Sequence, residues 1–224
     1  MRQAGRSIPA RRATLDNHPV RTFALELHES EAAADPVTQL EAWFADALSA
    51  GVPLPEAAAL ATATPDGAPS VRIVLVKRRE AGGFVFHSNY ESRKARELAA
   101  NPRGALVFYW EALGRQVRVE GPVARTSAQE TAAYVRSRPH GSQLSALASP
   151  QSRRVASREE LERRVARIAA AHEGRELPVP ETWGGYRLVP QTVEFWQRRP
   201  DRLHDRLCYR RAEGGRWSIE RLAP

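Results

Sequence analysis

Residues 70–77 read Ser70-Val71-Arg72-Ile73-Val74-Leu75-Val76-Lys77, a β-branched run with a cation near each end. Its length and composition make it a strand, and on a regular strand Arg72 and Lys77 face opposite sides. Runs of the same kind surround it at Ala58–Thr64, Gly83–Ser88, Ala105–Glu111 and Gln116–Arg125. Pro65-Asp66-Gly67, Gly82-Gly83 and Leu113-Gly114 punctuate them, as turns between antiparallel strands would. The last third returns to the pattern at Gly185–Val189, Thr192–Gln197, Leu207–Arg211 and Trp217–Arg221.

Helices interrupt these runs. Asp35 caps the first, with Pro36 at its first position, an apolar face of Val37, Leu40, Phe44, Ala47 and Leu48, and Gly51 at its end. A second spans Glu91–Ala100 and stops at Asn101-Pro102. Ser127 with Glu130 opens a third that runs to about Arg136, and Ser157 with Glu160 opens a fourth that stops near Gly174. Many strands, few helices and no regular β-α alternation argue against a doubly wound parallel sheet. They predict an α+β, mainly β fold: an antiparallel barrel with peripheral helices.

The 224 residues, 42% of them hydrophobic, suffice for one domain, expected over residues 35–224. Residues 1–34 read as a mobile arm, since the first 21 carry five arginines and one aspartate without apolar periodicity. The arm has the pattern of neither a secretory signal nor a membrane span. The single cysteine, Cys208, leaves no intramolecular disulfide framework and no thiolate cluster, and a cytoplasmic location fits. The formal charge is +8, with 34 basic residues of which only Lys77 and Lys94 are lysines. Such charge attracts nucleic acid, nucleotides and anionic metabolites alike, but no zinc-finger spacing, RNP aromatics or basic helical stripe accompanies it. No GxGxxG, P-loop lysine, HExxH or Gly-x-Ser-x-Gly occurs, so a dinucleotide fold, a zinc site and a nucleophile elbow lack support.

Several groups of residues suit an anion. Trp196-Gln197-Arg198-Arg199-Pro200-Asp201-Arg202-Leu203-His204-Asp205-Arg206 gathers four guanidiniums, an indole and an imidazole, suited to a phosphorylated, proton-exchanging small molecule. His87-Ser88-Asn89-Tyr90-Glu91-Ser92-Arg93-Lys94 joins a strand to a helix, and cations at a helix start oppose its macrodipole unless an anion sits among the free N–H groups. A solvated basic pair is the alternative. Gln116, Arg118 and Glu120 share the polar face of their strand, where the Gln116 amide could read a ring edge or simply be half-exposed. Tyr134, Arg138 and Ser142 recur at intervals of four and offer the donors a phosphate monoester requires. Equally, Tyr134 and Arg138 could be a surface ring and a charge favoured by the helix C-terminus.

In order along the chain, RIVLVK, NYESRKARELAANP, FYWEALGRQVRVEG, YVRSRPHGSQ, SPQSR, WGGYRLVPQTVEFWQ, RLHDRLCY and RLAP resemble the pyridoxine (pyridoxamine) 5′-phosphate oxidase family, flavoproteins with a split β-barrel. The resemblance spans about Asp35 to Pro224. It implies an FMN-dependent enzyme that oxidises pyridoxine or pyridoxamine 5′-phosphate to pyridoxal 5′-phosphate, with O2 as acceptor and H2O2 as product. It implies FMN contacts at Arg72, Ile73, Val74, Leu75, Val76, Lys77, His87, Ser88, Arg93, Lys94, Gln116, Gln151, Ser152, Trp196 and Arg206. It places the substrate phosphate on Lys77, Tyr134, Arg138 and Ser142, with Arg202, Leu203 and His204 at the reacting end of the ring and Arg202 and His204 as the catalytic pair. A homodimer with sites at the subunit interface follows, with no nucleic-acid or membrane partner and no metal.

The chain departs from the family pattern at His87, where an aromatic ring commonly lies, at Arg198, where Gly commonly follows Trp-Gln, and in an arm without the usual tyrosine-containing lid. Rival readings are a flavin oxidase of the phenazine-biosynthesis type, a non-catalytic flavin or pyridoxal phosphate carrier, and a nucleic-acid-binding module. Retention of Tyr134, Arg138, Ser142, Arg202 and His204 together favours the vitamin B6 substrate over the first.

Overall fold

A computed structural model describes residues 26–80 and 82–224. Most of the arm expected over residues 1–34 therefore lies outside the described residues. Nine strands and five α-helices follow in the order α1 (Pro36–Ser49), β1 (Ala57–Ala63), β2 (Pro69–Glu80), β3 (Gly83–Asn89), α2 (Arg93–Ala100), β4 (Arg103–Trp110) and β5 (Arg115–Arg125) among the described residues. Then come α3 (Ala128–Ser137), α4 (His140–Ala148), α5 (Arg158–Ala171), β6 (Trp183–Leu188), β7 (Thr192–Gln197), β8 (Asp205–Arg211) and β9 (Trp217–Arg221).

Every pairing is antiparallel. The ring β1-β2-β3-β6-β5-β4 closes where β4 returns to β1, with Leu60 opposite Leu106, and makes a six-stranded barrel. Strand β5 also carries a branch: residues 115–120 pair with β7, which continues to β8 and β9, while residues 123–125 pair with β6. Alternation along each strand fills the interior with Leu60, Val76, Phe84, Phe86, Phe108, Val117 and Val119, all without solvent exposure. The sole cysteine, Cys208, is buried on β8.

Helix α1 covers one end of this core. Asp35 Oδ2 accepts from Thr38 N at 2.8 Å, and Val37, Leu40, Trp43 and Ala47 are buried. Leu48, expected on that face, is instead 57% exposed: it follows Ala47 by one residue and so turns off the stripe that Trp43 completes. Trp43 meets Phe195 edge to face at 5.1 Å.

Three further boundaries differ from the sequence reading. Strand β2 runs on to Glu80 through an irregularity between Val76 and Arg78. Helix α2 starts at Arg93, not Glu91, because Ser92 is its N-cap. The segment after Pro139, to which the sequence reading gave no element, is helix α4, so Ser142 lies in a first helical turn, where its N–H donates to Pro139 O. The capping box at Ser127 and Glu130 is present as expected.

Because Phe195 is fully buried between Trp43 and Tyr209, Phe195→Ala is expected to lower stability by about 3–5 kcal/mol, read from urea denaturation.

Candidate functional site

Strand β2 sorts its residues by alternation. Val74 and Val76 face the barrel interior, and Arg72 lies on the same side, its guanidinium turned toward β1 and α2. Val71 and Ile73, 69% and 67% exposed, share the outer face with Leu75 and Lys77. Lys77 Nζ pairs with Glu56 at 3.0 Å. The opposite placement of Arg72 and Lys77 is thus as their spacing predicts.

At the start of α2 the cations are arranged unequally. Arg72 bonds Thr62 Oγ1 at 2.5 Å, the Ser70 hydroxyl and, at 3.3 Å, Glu97 Oε2. Arg93 Nε reaches Glu97 Oε1 at 2.8 Å, one turn along the helix. Thr62 and Ser70 also donate to Glu97, each at 2.5 Å. Burial works against ionisation of Glu97, but these four donors hold its carboxyl down to about 2.

Lys94 has no such carboxylate. It is only 8% exposed, and its ammonium bonds the hydroxyls of Ser88 at 3.0 Å and Ser92 at 3.5 Å. Burial, then the nearby Arg72, push its pKa below the usual lysine range. Gln151 bridges from the segment after α4, its Oε1 accepting from Ser88 Oγ at 3.0 Å and from Asn89 N at 3.2 Å. Its neighbour Ser152 is exposed and adopts φ +70°. Three cations, one carboxylate and several hydroxyls at a helix N-terminus have the chemistry of a phosphate cradle.

A second group forms where α3 crosses β3 and β6. The rings of His87 and Tyr134 stack at 3.6 Å, and both lie nearly parallel to Trp183, at 5.5 and 6.1 Å. Arg138 follows Tyr134 by one turn and sits 4.6 Å over the Trp183 ring. Arg138 Nη1 and His87 Nδ1 are buried without hydrogen-bond partners. Arg138, Asn89, Ser149, Gln151 and Trp183 line a cavity of about 210 Å³ that links this group to the first. Burial, then the charge of Arg138, hold the His87 imidazole down to about 4.

The third group lies on the branch. Gln116, Trp196 and Arg206 sit opposite one another on β5, β7 and β8. Arg206 makes a forked pair with Glu194, at 2.8 and 3.2 Å. His204 packs 4.5 Å from Trp196, and its Nδ1 accepts from Arg199 N at 3.1 Å, which leaves the proton of the neutral ring on Nε2. Burial, Arg198 and Arg202 lower the His204 pKa. Asp201 and Arg202 adopt φ +54° and +62°, so the short turn that presents His204 carries backbone strain. Leu203 and Arg202 are exposed there.

The chain does not unite all three groups: none of Arg72, Arg93, Lys94, Tyr134 or Arg138 bonds or stacks with Gln116, Trp196, His204 or Arg206. Two residues of the site escaped the sequence reading. Glu97 stands four residues after Arg93, a spacing that signals an ion pair, and Trp183 had only its place before Gly184-Gly185 to mark it.

Residues 44–172 match the family model described as pyridoxamine 5′-phosphate oxidase. The chain belongs to this family. Residues 183–224 match the family's C-terminal dimerisation region, described under pyridoxine 5′-phosphate oxidase. Among curated members, the pyridoxine/pyridoxamine 5′-phosphate oxidase of Rubrobacter xylanophilus is 56% identical, over 88% of this chain and 91% of its own. That of Thermosynechococcus vestitus is 54% identical, over 88% and 93%. The crystal structure of PhzG from Burkholderia lata in complex with tetrahydrophenazine-1-carboxylic acid superposes with a TM-score of 0.85 at 33% identity, over 91% of this chain and 99% of that one. An FMN-binding oxidase-related protein of Nostoc punctiforme shares the fold, with a TM-score of 0.67 at 18% identity, over 82% and 96%.

An ammonium buried with hydroxyls as its only hydrogen-bond partners is costly until an anion arrives. Lys94→Met is expected to raise the stability of the ligand-free protein by up to about 2 kcal/mol in urea denaturation, and to abolish its stabilisation by inorganic phosphate. For Glu97 the sign is opposite: a carboxyl lowered from 4.5 to about 2 gives stability that is complete above pH 4.5 and lost as pH falls toward 2. Acid titration of Glu97→Gln should lack that part of the loss.

Proposed function

We propose that the protein is an FMN-dependent oxidase that converts pyridoxine or pyridoxamine 5′-phosphate to pyridoxal 5′-phosphate, with dioxygen as acceptor and hydrogen peroxide as product. The observation that carries this reading is the pair of separate, incompletely satisfied cation groups, one around Lys94 and one around Arg138, on a chain more than half identical to curated oxidases of that name. Two phosphorylated ring molecules, a cofactor and a substrate, would answer both. Residues 35–224 act as one flavin-binding domain in this reading.

Arg72, Arg93 and Lys94 would hold the flavin phosphate, with Ser88 and Gln151 beside it and the Gln116 amide at a ring edge. Bound FMN supplies the hydride acceptor and the reaction with dioxygen. The protein's share is positioning, which removes the entropic part of the barrier. Tyr134, Arg138, Ser142 and Lys77 would fix the substrate phosphate at one end. At the other, Arg202 and His204 orient the oxidisable alcohol or amine, and the Nε2 proton of neutral His204 can donate to its oxygen or nitrogen.

A second chain completes the site in this reading. The outer face of β2 exposes Val71, Ile73 and Leu75 in a row beside Lys77, as an interface strand would, and the terminal residues match the family's dimerisation region. The branch residues Gln116, Trp196, His204 and Arg206 of one protomer would then serve the cradle of its partner.

The purified protein should be yellow, with a flavin spectrum bleached anaerobically by pyridoxamine 5′-phosphate and restored by air. Arg138→Ala should raise the substrate KM at least about tenfold while FMN content stays near one per chain. Equal loss of both would refute the separation of the two phosphate sites.

A further inference from the structure

The turn that presents Arg202 and His204 needs a hold from outside itself. It joins β7 to β8 where Gln197 pairs with Asp205, and Asp201 and Arg202 within it take left-handed φ values of +54° and +62° without being glycine. Asp201, Arg202 and Leu203 are exposed, so no packing of their own fixes that strained conformation. Inside the turn, the Leu203 N–H donates to Pro200 O at 3.1 Å and the Arg199 N–H to His204 Nδ1 at 3.1 Å. Its two ends are joined by the carboxylate of Asp205, whose Oδ2 lies 3.6 Å from Arg199 Nε across the neck. We propose that Asp205 is a positioning residue for the oxidation: by clasping the neck of the turn it holds Arg202 and His204 against the reacting end of the substrate. The proposal rests on the reading of Arg202 and His204 as the pair at that end.

The same carboxylate is anchored on its outer side. Oδ2 accepts from the Leu27 N–H at 3.2 Å, and Oδ1 accepts from Arg221 Nη1 on β9 at 2.8 Å. Arg221 also donates to Leu27 O at 2.7 Å and forks onto Glu29 at 2.8 and 2.7 Å, while Arg199 bonds Glu26. Residues 26–29 thus strap the turn to β9, and the Leu27 side chain is seated in the core cluster. The Asp205 side chain is 17% exposed, so these pairs are shielded better than surface ion pairs. With its oxygens engaged by Leu27, Arg199 and Arg221, Asp205 acts through Arg202 and His204 and touches no ligand. Positioning is the protein's share of this reaction, and a small displacement of an orienting group slows the step severely. The clasp stands apart from Tyr134 and Arg138, so affinity is left to the phosphate end.

The test compares the FMN-loaded wild type with two variants. Asp205→Asn keeps the shape and an acceptor for the Leu27 N–H but removes the charge that faces two guanidiniums, and Arg199→Met opens the neck from its other side. Hydrogen exchange read by mass spectrometry reports on the turn, and a single anaerobic turnover with pyridoxamine 5′-phosphate gives the limiting rate of flavin bleaching and the substrate Kd. Exchange should quicken over residues 199–204 and stay unchanged in the barrel strands. The limiting rate should fall at least about tenfold in each variant while Kd stays within about twofold of wild type. The double variant should be little slower than either single one, because both changes undo one clasp. An unchanged limiting rate, a loss confined to Kd, or fully additive losses would overturn the proposal. Exchange quickened throughout the barrel, or loss of FMN, would overturn it too and reduce Asp205 to a general structural role. Should Asp205→Asn fail to fold, Arg199→Met decides alone by the same rate and exchange criteria. A wild type that the substrate does not bleach would sink the oxidase reading, while the exchange comparison would still show whether Asp205 holds the turn.

Discussion

Strand β5 gives one whole edge to β4 and divides the other between β7 and β6, and everything functional is arranged around that division. The fork falls at Gly121, where a Cβ would sit 1.9 Å from Val189 O, so only glycine admits the returning chain. On one side of the fork the barrel closes and fixes β2, β3 and α2 rigidly enough to hold buried cations. On the other, β7 and β8 project Trp196, His204 and Arg206 away from it. The same branching that closes the core therefore separates the two residue groups of the proposed ligand site, and in that proposal a second protomer becomes a chemical requirement.

Electrostatics distinguish the residues that build the scaffold from those proposed to meet a ligand. Arg115 is buried too, but it is satisfied by Gln197 and Asp46 and by the face of Trp43. Arg206 has Glu194 in a forked pair. Lys94 and Arg138 have hydroxyls or a ring in place of a carboxylate, and both have pKa values displaced downward chiefly by burial. A protein tolerates such uncompensated charge where binding energy offsets it, and the cost appears as reduced stability of the empty form.

How much of this was legible in the sequence depended on whether the signal was local. Alternation in 115–121 placed Gln116, Arg118 and Glu120 on one face, and capping residues located α1 and α3, because these patterns are written within a few residues. Helix α4 was not legible, since Pro139 reads as a breaker although it also serves as the residue before a first helical turn. The stacking of His87 on Tyr134 joins residues 47 positions apart, and no periodicity encodes it. Glu97 was missed for another reason: its partner Arg93 was local, but Thr62, Ser70 and Arg72 arrive only through the β1-β2 register. The resemblance, not the pattern, supplied the residue roles.

The seclusion of Cys208 acquires a meaning once peroxide is a product. Burial raises the pKa of this thiol, so at neutral pH it remains protonated, and peroxide attacks thiolates rather than thiols. The chain holds one cysteine and one methionine in all. A catalyst that makes its own oxidant thus offers it almost no sulfur to burn.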